Sequence, residues 1–289
     1  MFDHVEEFHR PATVREALQL LHKGKGRARV VAGGTDLVLH ADDSVRILID
    51  ITRAGLSYIR PKGASLAIGA TTTLTELEES AAIKALAGGI LARAAAACGS
   101  VENRNLATIG GNMAHGSPAA DLAPPLLVLN ATVTLALADG RRRKIAIADY
   151  LAGPRKADRT STLVTELHVP ETPSKGHCGW SFQKLGRTAV DIALVSVAAG
   201  LELDARGKVK WARIAFGAVS PVPVRATAAE AFLAGRVFDR NLLGELGAHI
   251  ESAIAPITDQ RASADYRREM STVLARRALE ECAAGARWN

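Results

Sequence analysis

The chain of 289 residues has few aromatic residues and few cysteines. Phe, Trp and Tyr together make up 4% of it, which argues against nucleic-acid modules that stack bases on exposed rings. The three cysteines, Cys98, Cys178 and Cys282, lie far apart, and no C-x-x-C occurs. The sequence therefore predicts no disulfide framework, no zinc or iron–sulfur site and no nucleic-acid partner.

Long apolar runs are also missing. The stretch 85–98 is rich in Ala and Gly but is interrupted by Arg93, so it cannot supply the 20 or so apolar residues of a membrane span. The charged N-terminal residues lack the apolar core of a signal peptide. We therefore expect a cytoplasmic protein, with peripheral attachment at the inner face of the membrane as the alternative.

Length and charge allow several lobes and an anionic ligand. The chain is long enough for two or three lobes with separate cores. Its net charge of +6 is compatible with an anionic cofactor or an acidic partner subunit, although scattered Lys and Arg are commonly solvated surface. The basic run 141–144 follows a hairpin turn and is interpreted as a solvated loop.

Two segments far apart in sequence each carry a pair of adjacent glycines, at Gly33-Gly34 and at Gly110-Gly111. Both are predicted to be turns that follow a strand, because glycine adopts positive φ and lets a ligand approach the backbone. Successive backbone N–H groups in such turns bind anions such as a diphosphate. The alternative interpretation is two ordinary tight turns.

The N-terminal part of the chain mixes short strands and helices. A helix at 14–22 followed by strands at 29–32 and 45–51 is interpreted as a compact β-α-β unit with parallel strands buried on both faces. Thr13 with Glu16, and Thr73 with Glu76, have capping-box spacing. Further strands are predicted at 65–70, 131–137, 144–147 and 162–170, and helices at 81–97, broken at Gly88-Gly89, and at 122–130.

Beyond a predicted linker at 171–176, the C-terminal part has a different pattern of predicted secondary structure. Three long strands predict an antiparallel meander, and three helices close the chain. The strands are placed at 179–185, 192–203 and 209–219, and the helices at 227–233, 240–253 and 263–284. The whole pattern predicts an α+β protein.

Five signatures occur in one order along the chain. They are Ala32-Gly33-Gly34-Thr35-Asp36-Leu37; Ile68-Gly69-Ala70-Thr71-Thr72-Thr73-Leu74; Thr108-Ile109-Gly110-Gly111-Asn112 followed by Ser117-Pro118-Ala119-Ala120-Asp121; Phe182-Gln183-Lys184-Leu185 with Asp191; and Asp265-Tyr266-Arg267. Together they resemble the FAD-binding medium subunit of the molybdenum hydroxylases, a family that includes xanthine dehydrogenase, bacterial carbon monoxide dehydrogenase and N-heteroaromatic hydroxylases. The resemblance covers essentially the whole chain.

The resemblance implies a PCMH-type fold in which two lobes, 1–56 and 57–173, clasp an FAD. A C-terminal domain, 174–289, would hold a three-stranded antiparallel sheet and a helical bundle. Neither glycine segment contains a histidine that would indicate a covalent flavin link, so non-covalent FAD is expected. Thr35 stands where carbon monoxide dehydrogenases tend to have His followed by Ser, which weakens a carbon monoxide assignment.

The resemblance also implies the cofactor-binding residues, with no catalytic residue and no metal ligand on this chain. Backbone N–H groups of the two glycine segments would bind the FAD diphosphate. Asp121 would lie near the flavin's polar chain, Val164 against the flavin ring and Lys184 near its pyrimidine end. The full set is Val31, Ala32, Gly33, Gly34, Thr35, Asp36, Leu37, Thr108, Ile109, Gly110, Gly111, Asn112, Asp121, Val164 and Lys184.

Several of these residues have simpler interpretations. Asp121 is also a favourable N-cap for the helix that follows it. Lys184 is also acceptable as a solvated lysine of a strand, and the xanthine dehydrogenase register points at Gln183 instead. His115 is interpreted as a packing or surface residue.

The function implied by the resemblance is electron transfer in a heterotrimer, two copies of which form a dimer. A large subunit with the molybdenum cofactor oxidises the substrate, and a small subunit carries two [2Fe-2S] clusters. FAD on this chain would deliver the electrons to NAD, dioxygen, a quinone or a carrier protein. The alternatives are a stand-alone flavin oxidoreductase, which needs an acid/base pair that the sequence does not reveal, and a non-enzymatic FAD-binding assembly or sensor module.

Overall fold

The structure, a computed structural model, describes residues 4–39, 42–153, 161–171 and 178–287. It divides into two compact units built from alternating pieces of the chain. The first unit takes residues 1–77, 100–116 and 131–170, and the second takes 78–99, 117–130 and 171–289. The predicted boundary at 173/174 and most of the predicted linker lie outside the described residues, and the three-domain division stays a prediction.

A three-stranded parallel sheet opens the first unit. Its order is β1-β3-β2, formed by β1 (Glu7–His9), β2 (Ala28–Val31) and β3 (Ile47–Asp50). Helix α1 (Val14–Lys23) starts at Thr13, whose hydroxyl accepts the N–H of Glu16 at 3.2 Å. The helix and the two parallel strands are confirmed, but the β-α-β unit is β1-α1-β2 and includes β1, a strand that the sequence does not signal. The expected burial of both faces is wrong. Most of β1 and β2 is half-buried or exposed, because three short strands make too narrow a sheet to be covered on both sides.

A five-stranded antiparallel sheet forms the rest of the first unit, in the order β4-β5-β8-β6-β7. The strands are β4 (Ile59–Pro61), β5 (Ser65–Gly69), β6 (Thr132–Leu137), β7 (Arg142–Ala146) and β8 (Thr162–Pro170). Alternating apolar residues made β6 predictable, and short apolar runs made β5 and β8 predictable. Ala136 and Leu163 of this sheet share one apolar core with α1 and β3, so the two sheets pack together.

Short helices connect these strands. They are α2 (Leu74–Glu79), α5 (Val101–Leu106), α6 (Ile109–His115) and α8 (Ile147–Ala152). The second capping box is confirmed: Thr73 N–H donates to Glu76 Oε2 at 2.7 Å, and Glu76 N–H donates to Thr73 Oγ1 at 3.1 Å. The predicted turn at Gly110-Gly111 is wrong, because both glycines lie in the first turns of α6, where Thr108 is the N-cap.

The second unit is built on a four-stranded antiparallel sheet in the order β12-β11-β10-β9. The three predicted strands are β9 (Cys178–Leu185), β10 (Val195–Leu203) and β11 (Val209–Gly217), and a two-residue edge strand, β12 (Val224–Arg225), adds a fourth that the sequence does not signal. Helices α9 (Thr227–Leu233), α10 (Arg240–Glu251) and α11 (Ala264–Arg287) share the main apolar core with this sheet.

The remaining helices of the second unit are α3 (Ala81–Ala85), α4 (Ile90–Ala96) and α7 (Ala123–Val128). A 3-10 turn at 86–89 separates α3 from α4, with positive φ at Ala87, Gly88 and Gly89, which confirms the predicted break. Among all the described helices, none combines the length and apolar character needed to cross a bilayer.

Candidate functional site

A cavity of about 830 Å³ lies within the first unit. Four segments line it: the residues after β2, the start of α6, the stretch from β7 through α8, and the start of β8. The volume falls in the range of small-molecule and cofactor sites. Of the fifteen predicted site residues, those in the first glycine segment, most of the second and Val164 meet at this one cavity.

The first glycine segment lines the cavity over its whole predicted length, from Val31 to Leu37. Gly34 has a φ of +71°, a conformation that side-chain-bearing residues rarely adopt. A Cβ on Gly33 would lie 1.8 Å from the carbonyl oxygen of Leu106, at the end of α5. Glycine is therefore required at both positions, at one for backbone conformation and at the other for close packing.

The second glycine segment has a different role from the first. The N–H groups of residues 109–112 already donate within the chain: Ile109 to Thr72 O, Gly110 to Ala70 O, Gly111 to Thr108 Oγ1 and Asn112 to Thr108 O, all at 2.9–3.1 Å. Thr108, Gly110, Gly111 and Asn112 still line the cavity, whereas Ile109 is fully buried in the core. This segment therefore offers a smooth wall without side chains rather than a set of backbone donors.

Asn112 supplies a polar group to that wall. Its side-chain oxygen Oδ1 is buried and has no hydrogen-bond partner among the described residues. A buried polar atom without a partner costs free energy, so such an atom beside a cavity indicates a ligand that completes its hydrogen bonding. Near it, His115 Nε2 lies 3.9 Å from Asp36 Oδ1, which brings the two glycine segments together across the cavity lining.

Asp121 and Lys184 lie in the second unit and contact each other. Lys184 Nζ is 2.7 Å from Asp121 Oδ2 and also donates to the Ala97 carbonyl at 2.7 Å. Both side chains are less than a tenth exposed. Burial raises the pKa of Asp121, and the Lys184 cation and the Cys98 thiol oppose that rise.

This geometry corrects two simpler interpretations. Lys184 is not a solvated lysine, because its ammonium group is buried between a carboxylate and a carbonyl. Asp121 is not the N-cap of α7, because that position is Leu122 and no side chain caps the helix.

Gln183, the other candidate from the sequence, faces the opposite side of β9. Its side-chain amide donates to Glu281 Oε2 at 2.7 Å, and the same carboxylate accepts from Ser181 at 2.5 Å. Adjacent residues of a strand point to opposite faces of the sheet, so Gln183 and Lys184 cannot serve the same site.

Two family descriptions together cover nearly the whole chain. Residues 3–172 match the FAD binding domain in molybdopterin dehydrogenase, and residues 180–282 match the CO dehydrogenase flavoprotein C-terminal domain. The chain belongs to the FAD-binding subunits of the molybdenum hydroxylases. The resemblance predicted from the five signatures is confirmed.

Individual relatives of this FAD-binding subunit match it from end to end. The xanthine dehydrogenase FAD-binding subunit of Escherichia coli O157:H7 is 30% identical, with 99% of this chain and 98% of the relative covered. The glyceraldehyde dehydrogenase medium chain of Sulfolobus acidocaldarius is 31% identical, with 95% and 97% covered. The carbon monoxide dehydrogenase medium chain of Afipia carboxidovorans is 32% identical, with 97% and 98% covered.

Solved structures agree. Carbon monoxide dehydrogenase from Hydrogenophaga pseudoflava lacking the Mo-pyranopterin moiety of its molybdenum cofactor matches with a TM-score of 0.90 at 30% identity, covering 99% of both chains. Quinoline 2-oxidoreductase from Pseudomonas putida 86 matches with a TM-score of 0.89 at 27% identity, also covering 99% of both chains. The predicted fold class is confirmed, and the protein is an oxidoreductase subunit. The names of the relatives span several substrates, so similarity alone does not select one.

The residues at the cavity of this FAD-binding subunit fit its cofactor. The glycines of both segments place backbone rather than side chains at the cavity, the unpartnered Asn112 oxygen is available to a ligand, and Val164 adds an apolar surface at the start of β8. FAD is thus the cofactor that both the family and the cavity support.

Some cavity residues were missed at the level of sequence. They lie on the β7–α8 stretch and on β2 and its surroundings: Arg29, Asp42, Arg143, Lys144, Ile145, Asp149 and Tyr150. The basic run 141–144 is exposed, but its interpretation as a loop is wrong, because Arg143 and Lys144 lie on β7 and line the cavity. No local pattern marks these residues, because their place at the cavity depends on the pairing of β7 with β6 and on the path of α8.

Proposed function

We propose that this chain is the FAD-carrying electron-transfer subunit of a heterotrimeric molybdenum hydroxylase, with FAD bound non-covalently. The observation that carries the proposal is the single cavity that collects both glycine segments of a chain from this family. When bound, FAD supplies reversible one- and two-electron chemistry, and the protein supplies binding, orientation and electrostatics.

The first glycine segment would bind the diphosphate. Gly33 lets the segment pack against the end of α5, Gly34 gives it a left-handed turn, and the amides of residues 34–36 are the donors we assign to the diphosphate. Gly110 and Gly111 would contribute surface, and Asn112 a side-chain hydrogen bond. Val164 would provide apolar contact with a ring of the cofactor.

The buried ion pair of Lys184 and Asp121 would contribute jointly to binding the flavin and to stabilising negative charge on it. A cation held near the pyrimidine end of the ring favours negative charge there, and Asp121 holds the ammonium group in place at 2.7 Å. Because Asp121 Oδ1 has no hydrogen-bond partner among the described residues, that carboxylate still has an acceptor to offer to a hydroxyl of the cofactor's polar chain.

The partners follow from the family. We propose a large subunit with the molybdenum cofactor, where the substrate is oxidised, and a small subunit with two [2Fe-2S] clusters, in a dimer of heterotrimers. Relatives named as medium chains and FAD-binding subunits support a role within a larger assembly. NAD, dioxygen, a quinone or a carrier protein would receive the electrons, and a cytoplasmic location remains a prediction.

The test is a visible absorption spectrum of the purified full chain before and after acid precipitation. Flavin bands that move into the supernatant are expected and would establish non-covalent binding. Flavin retained in the pellet would overturn the non-covalent assignment. Absence of flavin after soaking with FAD, and again after co-expression with the proposed large and small subunits, would overturn the proposal as a whole.

A further inference from the structure

The three cysteines of the chain all lie in the second unit, but their surroundings differ. Cys282 is fully buried on α11, where its thiol donates to the Ala199 carbonyl at 3.5 Å, and burial raises its pKa. Cys178 is buried on β9, where burial and the negative charge of Glu202 raise its pKa to about 11. Because the thiolate is the reactive form of cysteine, we expect both of these side chains to be inert.

Cys98 differs from the other two in exposure and in its neighbours. It follows the last turn of α4, where its N–H donates to Ala95 O at 3.1 Å, and it is only partly buried. Its thiol is hydrogen-bonded to the carboxylate of Asp121. The carbonyl of the preceding residue, Ala97, accepts from Lys184 Nζ at 2.7 Å. The side chains of Cys98, Asp121 and Lys184 therefore form one group, the thiol cluster.

The carboxylate of the thiol cluster can still accept a hydrogen bond. Asp121 is 4% exposed, and its Oδ1 has no N–H or O–H donor among the described residues. A buried acceptor that lacks a donor costs free energy, so this oxygen indicates a ligand with an O–H or N–H group. A small molecule that enters beside the thiol would supply that group.

We propose that Cys98 is a peroxide-reactive thiol and that its oxidation weakens the binding of FAD to this chain. Hydrogen peroxide is small and uncharged and has an O–H group at each end, so it can donate to Asp121 Oδ1 beside the thiol. The effect on FAD rests on the proposed function, in which the same oxygen accepts from a hydroxyl of the cofactor. Hydrogen peroxide also forms when a reduced flavin passes two electrons to dioxygen, one of the proposed acceptors.

The oxidation balances within the thiol cluster. The Cys98 thiol gives its proton to Asp121, whose pKa burial raises, and the sulfur attacks one oxygen of the peroxide. An S–O bond forms as the O–O bond breaks, so the sulfur loses two electrons and the peroxide is reduced. The departing hydroxide takes the proton from Asp121 and leaves as water, while the Lys184 ammonium stabilises the negative charge. The sulfenic acid that results can donate its O–H to Asp121 in place of the cofactor.

Dimedone trapping followed by mass spectrometry tests the oxidation in the full, flavin-free chain. With limiting hydrogen peroxide, the sulfenic adduct is expected on Cys98. Cys178 should react about a hundredfold more slowly in the folded than in the unfolded chain, since its pKa is raised from 9.0 to about 11. In urea all three cysteines should react alike. Reaction of folded Cys178 or Cys282 at the rate of Cys98, or no reaction of Cys98, would overturn the proposal.

Asp121→Asn tests the proton transfer, after circular dichroism has shown that the variant is folded. Asparagine keeps the shape of the side chain but takes no proton, so oxidation of Cys98 by peroxide should slow about tenfold or more. Alkylation of Cys98 by iodoacetamide should slow less, because a departing iodide needs no proton. Equal slowing with both reagents would overturn the role of Asp121 as the proton carrier.

Calorimetry with FAD before and after peroxide treatment tests the consequence for the cofactor. The oxidised chain should bind FAD about tenfold more weakly, as expected for one lost hydrogen bond, and dithiothreitol should restore the affinity. Cys98→Ser should bind FAD equally before and after treatment, whereas the matched control Cys178→Ser should respond like the wild type.

Unchanged FAD affinity in a wild type that is fully oxidised at Cys98 would overturn the effect on FAD. A reduced wild type that binds no FAD would overturn the proposed function together with that effect. The oxidation of Cys98 is decided separately by the mass spectra.

Discussion

At the scale of single residues, the two glycine pairs look alike in sequence but have different structural roles. Gly34 is needed for a φ of +71°, and Gly33 for the approach of its Cα to the end of α5. Gly110 is needed because a Cβ there would lie 2.5 Å from the Ala70 carbonyl oxygen. Only the first pair has the left-handed backbone expected from a Gly-Gly turn.

Gly33→Ala should abolish FAD binding. The added methyl would meet the Leu106 carbonyl oxygen at 1.8 Å, so the segment must move away from α5 and out of its place at the cavity. Flavin content per chain after purification is the measurement. Gly244→Ala is the control, because nothing lies within 4 Å of its Cβ position in α10 and alanine is the better helix former by about 1 kcal/mol. Equal flavin content in the two variants would contradict the role assigned to Gly33.

The Asp121–Lys184 pair should show strong coupling in a double-mutant cycle. Either single change, Asp121→Leu or Lys184→Met, leaves one charge buried alone and should cost about 3–5 kcal/mol in the free energy of unfolding. The double variant removes both charges and should cost far less than the sum. Urea unfolding of the four proteins measures the coupling, and additive losses would show that the pair is not desolvated in solution.

At the scale of elements, Glu166 links strand β8 to the edge strand β4. Its carboxylate accepts from the Tyr58 hydroxyl at 2.8 Å and from Lys62 Nζ at 2.9 Å, and His168 Nε2 lies 2.7 Å away. Burial opposes ionisation of Glu166, but the hydrogen bonds from Lys62 and Tyr58 and the nearby His168 outweigh it and lower its pKa. Burial, together with the hydrogen bond to Glu166 and its negative charge, raises the pKa of Tyr58 to about 12.

Glu166→Gln should therefore destabilise the protein in a pH-dependent way. The loss should be about 2–3 kcal/mol at neutral pH, since hydrogen bonds to charged groups are involved. A carboxyl group whose pKa is lowered on folding stabilises the protein above its ordinary value of 4.5 and loses that effect as the pH falls through the folded pKa. The difference between wild type and variant in urea unfolding should shrink below pH 4.5.

The exposed carboxylate of Glu79, on α2, provides the comparison for this experiment. Glu79→Gln should change stability by less than about 0.5 kcal/mol at any pH tested. A Glu166→Gln effect that stays constant from neutral to acidic pH would mean that the ionised form of Glu166 is not the one that stabilises the sheet.

At the scale of the whole molecule, the chain enters the second unit twice and returns to the first each time before the C-terminal strands begin. Residues 78–99 and 117–130 belong to the second unit, and the segments on either side of them belong to the first. The stretch 100–116 carries the second glycine pair, and the segments that flank it on both sides belong to the second unit.

FAD should stabilise the full chain against heat. Binding to the folded state alone adds about 2.7 kcal/mol when free ligand is 100 times the dissociation constant, and the melting temperature should rise accordingly. Differential scanning calorimetry of the flavin-free chain with and without FAD measures the effect. Gly33→Ala should show no rise, and a rise of equal size in that variant would place the binding site away from the first glycine segment.

Much of the fold could be predicted because local patterns of apolar and capping residues determine it. Alternating apolar residues marked β6, apolar runs marked β5, β8 and the long strands of the C-terminal meander, and capping residues marked the starts of α1 and α2. The two-residue β12 has too few residues for any pattern, and the helical setting of Gly110-Gly111 contradicts what a glycine pair suggests locally. Tertiary contacts with Ala70 and Thr72 outweigh that local preference.

The sequence by itself determined the family, the cofactor and the segments that carry the glycines, because each depends on residue types at short spacing. The tertiary structure alone decided which groups meet. Asp121 and Lys184, 63 residues apart, form one buried ion pair, and Tyr150 and Asp149 join the glycine segments at a single cavity. Such contacts follow from strand pairing and helix packing between distant parts of the chain, and no local pattern of residues encodes them.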